Sequence, residues 1–463
     1  MDSIRTKRMG INRGLGVVLA LLLVVQPLIP AWGQSRGLIR DAEIEATIRA
    51  YCAPLWHAAG LDPSFVEVHL IADQQLNSFV SGGQHIFINT GLITRAATPN
   101  EVIGVLAHET GHIIGGHLVR FREALENASI EAIIGALLSA GAAVGGAFSG
   151  DAGAASAGVG TASLGESIAL RNLLQYSRGQ EASADQAGLK LLDATHQSSR
   201  GLLQFFQILS GQEHFLAINQ NPYLRTHPLT QERVSAVADH VAHSPYSDNP
   251  DPPALVAMHR RMVAKLEGYL EPLDRVLRDY PPKDSSEPAR YARAVGYFRA
   301  SRLQQSLAEM DSLLKDAPQD PYFLEQKAQI LYQNGRIADA VKLYQAAVDL
   351  RPNETLLRTE LAEAQIESEN DAYIPAAVKH LEYAARLESD NPTTWHFLAI
   401  AYGRGGNLGM ASLAQSEEAI ARGNRRDARF HAQRALKELK SNSPGALRAQ
   451  DILSSTVNPE GGQ

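Results

Sequence analysis

The stretch Thr98-Pro99-Asn100-Glu101-Val102-Ile103-Gly104-Val105-Leu106-Ala107-His108-Glu109-Thr110-Gly111-His112 decides how this chain folds. Thr98 followed three residues later by Glu101 has the form of a capping box, and Pro99 stands at the first helical position. The apolar-periodic run behind them predicts a helix from about Pro99. On that helix His108 and His112 fall a turn apart on one face, where both imidazoles reach a single tetrahedral zinc ion. Glu109 projects beside them, placed to take a proton from an attacking water.

Two histidines are not enough for such a site, so a third protein ligand is required. The pattern that adds a histidine six residues after His112 fails, because position 118 is Leu118 and His117 falls one short. A glutamate on a second helix remains. Ser177-Arg178-Gly179-Gln180-Glu181-Ala182-Ser183-Ala184-Asp185 runs on helically through Leu191 and Leu192 and puts Glu181 and Asp185 a turn apart. Glu181 completes two histidines plus glutamate and leaves the fourth position for water, while Asp185 orients a ligating imidazole. The bland alternative is a solvated acidic helix face.

Outward from this centre the chain of 463 residues is too long for one core. Apolar residues make up 44% and charged residues 20%, which excludes wholesale disorder and a polytopic membrane protein. Residues 1–33 read as a secretory signal peptide: Arg5, Lys7, Arg8 and Arg13 precede an apolar run from Leu15 to Val25, and Ala31-Trp32-Gly33 sets cleavage after Gly33. Without that basic leader the net charge of −7 becomes about −10, which gives no electrostatic case for nucleic acid. Cys52 is the only cysteine, so no internal disulfide forms.

Residues 34–243 mix helix and strand signals and hold every metal-type residue. Residues 244–286 form a linker, proline-rich from Ser244 to Pro253, with a connecting helix from about Ala254 to Leu270. Residues 287–455 repeat with a period of about 34. The clearest copy starts at Pro321, with Ala328, Leu331, Gly335, Ala340, Tyr344, Ala347 and Pro352 at the key spacings. Pro392 opens another, with Trp395, Leu398, Ala399, Tyr402, Gly406 and Ala411 at equivalent positions. A weaker copy begins near Glu287, Arg425 to Leu439 is part of a last one, and the copy from Thr355 runs long around Asn370 to Ile374. Residues 456–463 read as a disordered tail. The spacing resembles the tetratricopeptide repeat, whose stacked helix pairs bind peptides or proteins. The expected fold class is α+β and mainly helical: a zinc metallopeptidase domain with a small sheet, then an all-α repeat solenoid.

His108-Glu109-x-x-His112 followed some seventy residues later by Ser177-Arg178-x-x-Glu181-x-x-Ala184-Asp185 resembles the gluzincin branch that holds the CAAX prenyl proteases and HtpX. With a leader and C-terminal repeats, the chain is similar to its soluble periplasmic members that act in outer-membrane barrel assembly. The resemblance implies one zinc per chain and an endopeptidase that degrades misfolded or stalled outer-membrane proteins. It also implies repeats that hold clients or the assembly machinery, with a chaperone-like role. It implies two further features. His85-Ile86-Phe87-Ile88-Asn89-Thr90-Gly91-Leu92, led in by Asn77 to Gly83, becomes a strand at the edge of the cleft, able to hold an extended peptide; an ordinary hairpin is the alternative. Thr226-His227-Pro228-Leu229, with Arg233 after it, matches a segment whose histidine takes the fourth zinc position and holds the enzyme off, which makes His227 an inhibitory candidate. Residues 132–163, rich in glycine and alanine, are expected to form a flap or surface helix touching the membrane or an unfolded client, or else a buried hairpin. The rival from another class is a periplasmic chaperone or assembly factor that cleaves nothing, its zinc auxiliary.

Overall fold

The computed structural model describes residues 37–63, 65–81, 84–117, 164–213 and 227–456, and side chains within 164–177 and 211–213 are not among those described. The segment read as a leader at 1–33, the segment 132–163 and all of the 456–463 tail except Thr456, which is buried, lie outside these residues. From Leu38 onward the described residues form one compact unit.

Strand β1 (Leu38–Ile39) leads into α1 (Ala42–Ala58), capped by Asp41, whose carboxylate accepts from Ile44 N at 2.9 Å. Then come β2 (Glu67–Ile71), β3 (Ser78–Ser81), β4 (His85–Asn89), α2 (Thr90–Arg95) and α3 (Pro99–Ile114). The strand order is β1-β2-β4-β3, with β2 and β4 parallel and the two outer pairs antiparallel. Alternation sends Leu70, Ile86 and Ile88 into the core and turns Glu67, His69, His85 and Phe87 to the outer face. One expectation is corrected here. The segment 85–92 is not an edge strand: β4 ends at Asn89, Thr90 already begins α2, and β4 is paired on both sides. Among the described residues, the free edge next to α3 belongs to β3, the other arm of the hairpin.

Helix α3 starts as its sequence requires. Thr98 Oγ1 accepts from Glu101 N at 3.4 Å, and Glu101 reaches back to Ala97 N at 3.1 Å. Every residue from Pro99 to Gly111 is buried, so α3 is the central rod of this half, wrapped by α1, α4 (Leu164–Ala194) and α5 (Arg200–Glu213). Two glycines set how closely α3 and α4 cross. A Cβ on Gly111 would stand 2.5 Å from Ala184 O, and one on Gly188 would stand 3.0 Å from His108 N. Backbone thus meets backbone where the motif residues sit.

α6 (Gln231–His243) completes this half, and α7 (Pro253–Leu270) and α8 (Leu273–Asp279) lead to the repeats. Among the described residues the repeats form helix pairs: α9 (Glu287–Arg299) with α10 (Leu303–Asp316), α11 (Pro321–Gln333) with α12 (Ile337–Leu350), α13 (Thr355–Glu367) with α14 (Ile374–Leu387), α15 (Pro392–Arg404) with α16 (Leu408–Ala421), and α17 (Arg425–Glu438) with α18 (Pro444–Ser455). The surplus residues of the long copy form a 3-10 turn, Asp371–Tyr373, between α13 and α14. The small positions read from the sequence, Ala328, Ala340 and Ala347, are fully buried where paired helices touch. No helix among the described residues is long and apolar enough to cross a membrane.

An ionic seam joins the halves. Lys265 of α7, fully buried, lies 2.7 Å from Asp41, 3.6 Å from Glu43 and 3.4 Å from Glu325 of α11. Arg261 binds Glu43 at 2.6 Å and Asp320 at 2.6 Å, and Tyr291 of α9 donates to Glu43 at 2.7 Å.

Candidate active site

Helices α3 and α4 and the segment entering α6 bring four side chains to one point. His108 Nε2 lies 3.1 Å from His112 Nε2, 3.4 Å from Glu181 Oε2 and 3.3 Å from His227 Nδ1. Glu181 Oε1 lies 3.3 Å from His112 Nε2 and 3.1 Å from His227 Nδ1. A tetrahedral ion with bonds of about 2.0–2.1 Å separates its ligand atoms by about 3.3 Å. The donor set therefore has the spacing of a four-coordinate metal cage, and these residues fit a metal ion.

The surroundings fix which nitrogens face the centre. Asp185 Oδ1 stands 2.8 Å from His108 Nδ1, a contact that in the neutral ring a metal requires would hold the proton on Nδ1 and leave the Nε2 lone pair for the centre. His117 does the same for the other ring, its Nδ1 at 3.0 Å from His112 Nδ1. It gets there because α3 ends at Ile114, capped by Gly115, and Gly116 takes a φ of 60°, which folds the chain back over the last turn. Gln180 Nε2 donates to His117 O at 3.1 Å and ties that turn to α4.

Arg233, buried in α6, is the common support. Its guanidinium donates to both oxygens of Asp185, at 2.6 and 2.8 Å, stands 3.0 Å from Glu181 Oε2, and donates to Pro228 O at 2.8 Å. One side chain thus holds the two acidic positions of α4 and the backbone beside His227. In the sequence Arg233 follows the His227 segment with no task legible there, and His117 stands one residue short of a ligand's place. Both act through neighbours and not on the central point.

The carboxyls are pushed in opposite directions. Burial pushes Glu181 up, but His227, His108 and His112 outweigh it and hold the group well below the carboxylate range. Burial likewise pushes Asp185 up, and Arg233 and His108 bring it below its ordinary value. Glu109 is raised by burial, only partly offset by His227 and His108. It is fully buried, and neither oxygen has a hydrogen-bond partner among the described residues; His227 Nε2 is 3.7 Å away. An ionised ligand beside a proton-hungry, unsatisfied carboxyl suits metal-assisted acid–base chemistry. All six residues singled out in the sequence, His108, Glu109, His112, Glu181, Asp185 and His227, meet at this centre.

Residues 39–241 match peptidase family M48, and residues 291–355 match the tetratricopeptide repeat. The chain is 25% identical over 362 residues to a beta-barrel assembly-enhancing protease of Yersinia pestis, covering 76% of this chain and 71% of that one. It is 21% identical over 353 residues to the protein of that name in Escherichia coli, covering 75% and 69%. It is 28% identical over 180 residues to the metalloprotease LoiP of Escherichia coli, covering 39% and 64%.

Proposed function

This chain is a metalloendopeptidase, a peptidase family M48 domain followed by tetratricopeptide repeats, and on that premise we propose that it is a zinc-dependent endopeptidase of outer-membrane protein quality control. His108, His112 and Glu181 hold one zinc per chain, and His227 takes the fourth position in the resting enzyme. The observation that carries this reading is the four-donor cage with the unsatisfied Glu109 beside it. When bound, zinc acidifies water and polarises a scissile carbonyl. Glu109 accepts the proton of the attacking water and passes it to the leaving amine. Asp185 and His117 hold the imidazoles in the orientation that ligation needs. His227 must withdraw before a peptide enters, and the open edge of β3 then offers backbone groups to an extended chain.

The clients are unfolded or misassembled polypeptides, outer-membrane barrel proteins and their assembly machinery among them, recruited by the repeats. The names of the relatives support this, and the leader read at residues 1–33 supports export to the periplasm. A chaperone-like role goes with the same repeats, since a chain restrained by His227 can bind a client without cutting it. The test measures zinc content and cleavage of an unfolded outer-membrane barrel protein by wild type, Glu109→Gln and His227→Ala. One zinc per chain, cleavage abolished in Glu109→Gln and raised in His227→Ala, supports the proposal. Zinc without cleavage in any variant turns the reading toward an assembly factor.

A further inference from the structure

The outer face of the sheet carries a second convergence of donor atoms, sharing no residue with the buried cage. The parallel register sets Glu67 opposite His85 and His69 opposite Phe87, so Glu67, His69 and His85 project from one face of neighbouring strands. His69 Nε2 lies 3.1 Å from His85 Nδ1. Glu67 Oε2 lies 3.4 Å from the first nitrogen and 3.2 Å from the second. The three atoms form a triangle with nearly the spacing found in the buried cage, and that of ligands around one tetrahedral ion. Among the described residues, the ion-pair partners of Glu67 are these two imidazoles.

The platform beneath is built. Phe87 stacks on His69 with ring centres 4.7 Å apart, and Phe79 stacks on Phe87 at 5.0 Å. The His69 and His85 rings are stacked, 19° from parallel, so ligation requires each to turn about its Cβ–Cγ bond until its nitrogen faces the point the carboxylate faces. A shared proton serves one of the three contacts at a time, whereas one cation serves all three. Two imidazoles and one carboxylate suit a late first-row divalent ion.

We propose that Glu67, His69 and His85 form a second metal site, one that takes a divalent cation of the zinc class with water in its remaining positions. The side chains are 44%, 22% and 36% exposed, so the ion exchanges with solvent and binds more weakly than in the buried cage. Once bound, it clips β2 to β4 on the face away from the core.

Cobalt(II) titration of the full metal-depleted chain, followed by visible absorption and by metal analysis after desalting, tests this. Wild type should bind two equivalents, one tight and one weaker. His69→Gln combined with His85→Gln should lose the weaker equivalent, keep the tight one and leave peptide cleavage unchanged. Glu67→Gln, at the exposed rim, should weaken the same equivalent about tenfold, or about 1.4 kcal/mol. Circular dichroism of each variant reports whether the sheet is intact. A single equivalent in wild type, or a weaker equivalent that survives the double substitution, overturns the proposal and leaves a histidine–histidine hydrogen bond. Because the weaker equivalent is counted separately from the tight one and from cleavage, its outcome does not depend on the peptidase reading.

Discussion

Asp185 shows how much of the site depends on side chains that never face its centre. Its carboxylate joins His108 to Arg233, and Asp185→Asn keeps the shape while weakening the charge pairing on both sides. Loss of such an orienting partner lowers metal affinity by about 10–100-fold. We expect zinc retention against a chromophoric chelator to fall by that factor, with cleavage falling alongside it; unchanged retention would show that His108 needs no such support. Much of this scale was legible in the sequence. A histidine pair a turn apart and Glu181 and Asp185 a turn apart are local patterns, readable once each helix is recognised. Arg233 was not readable as a clamp, because it meets Asp185 across 48 residues and only the folded chain brings them together. His117 looked one position out of place for a ligand, and its real neighbour, His112 Nδ1, points away from the centre.

At the level of the helix and the strand, the crossing of α3 and α4 is the feature to perturb. Gly111 is a wildcard position of the HExxH motif, yet in this chain its hydrogen faces Ala184 O where a methyl group would stand 2.5 Å away. Gly111→Ala must drive the helices apart, at a cost of about 1–3 kcal/mol for an overpacked contact. It should also spread the ligands contributed by α3 and α4. The expected result is a lower thermal midpoint together with substoichiometric zinc, read by calorimetry and metal analysis. Gly179→Ala, in α4 with open space around it, should change neither. The strand pattern was less informative than the helix pattern. Two short runs joined by Gly82-Gly83 announce that β3 and β4 are neighbours, but nothing local announces that β2 pairs with the far side of β4. For that reason the sequence does not distinguish which arm of the hairpin is the edge.

Across the whole molecule, the seam at Lys265 sets a dependence on pH. One lysine faces Asp41, Glu43 and Glu325, more negative charge than it can balance. Burial first, and then the neighbouring Asp41 and Glu43, outweigh Lys265 and push the Glu325 carboxyl up from 4.5 to about 7. Between those values the folded chain holds a proton that the unfolded chain has released. The contribution of this group to stability is therefore full below pH 4.5 and declines as pH rises to about 7. Denaturant midpoints for wild type should show that decline, and Glu325→Gln should flatten it. An identical slope in the variant would place the titrating group elsewhere.

The seam also bears on the order in which the chain can be finished. Asp41 and Glu43 stand at the beginning of the described residues, yet Arg261 and Lys265, which neutralise them, and Tyr291, which donates to Glu43, follow more than two hundred residues later. A ribosome or a translocon releases the beginning first, so α1 waits, with its acidic end unmatched, until the first repeats have emerged. The scissors and the hand that holds the cloth are thus expected to close in one late step.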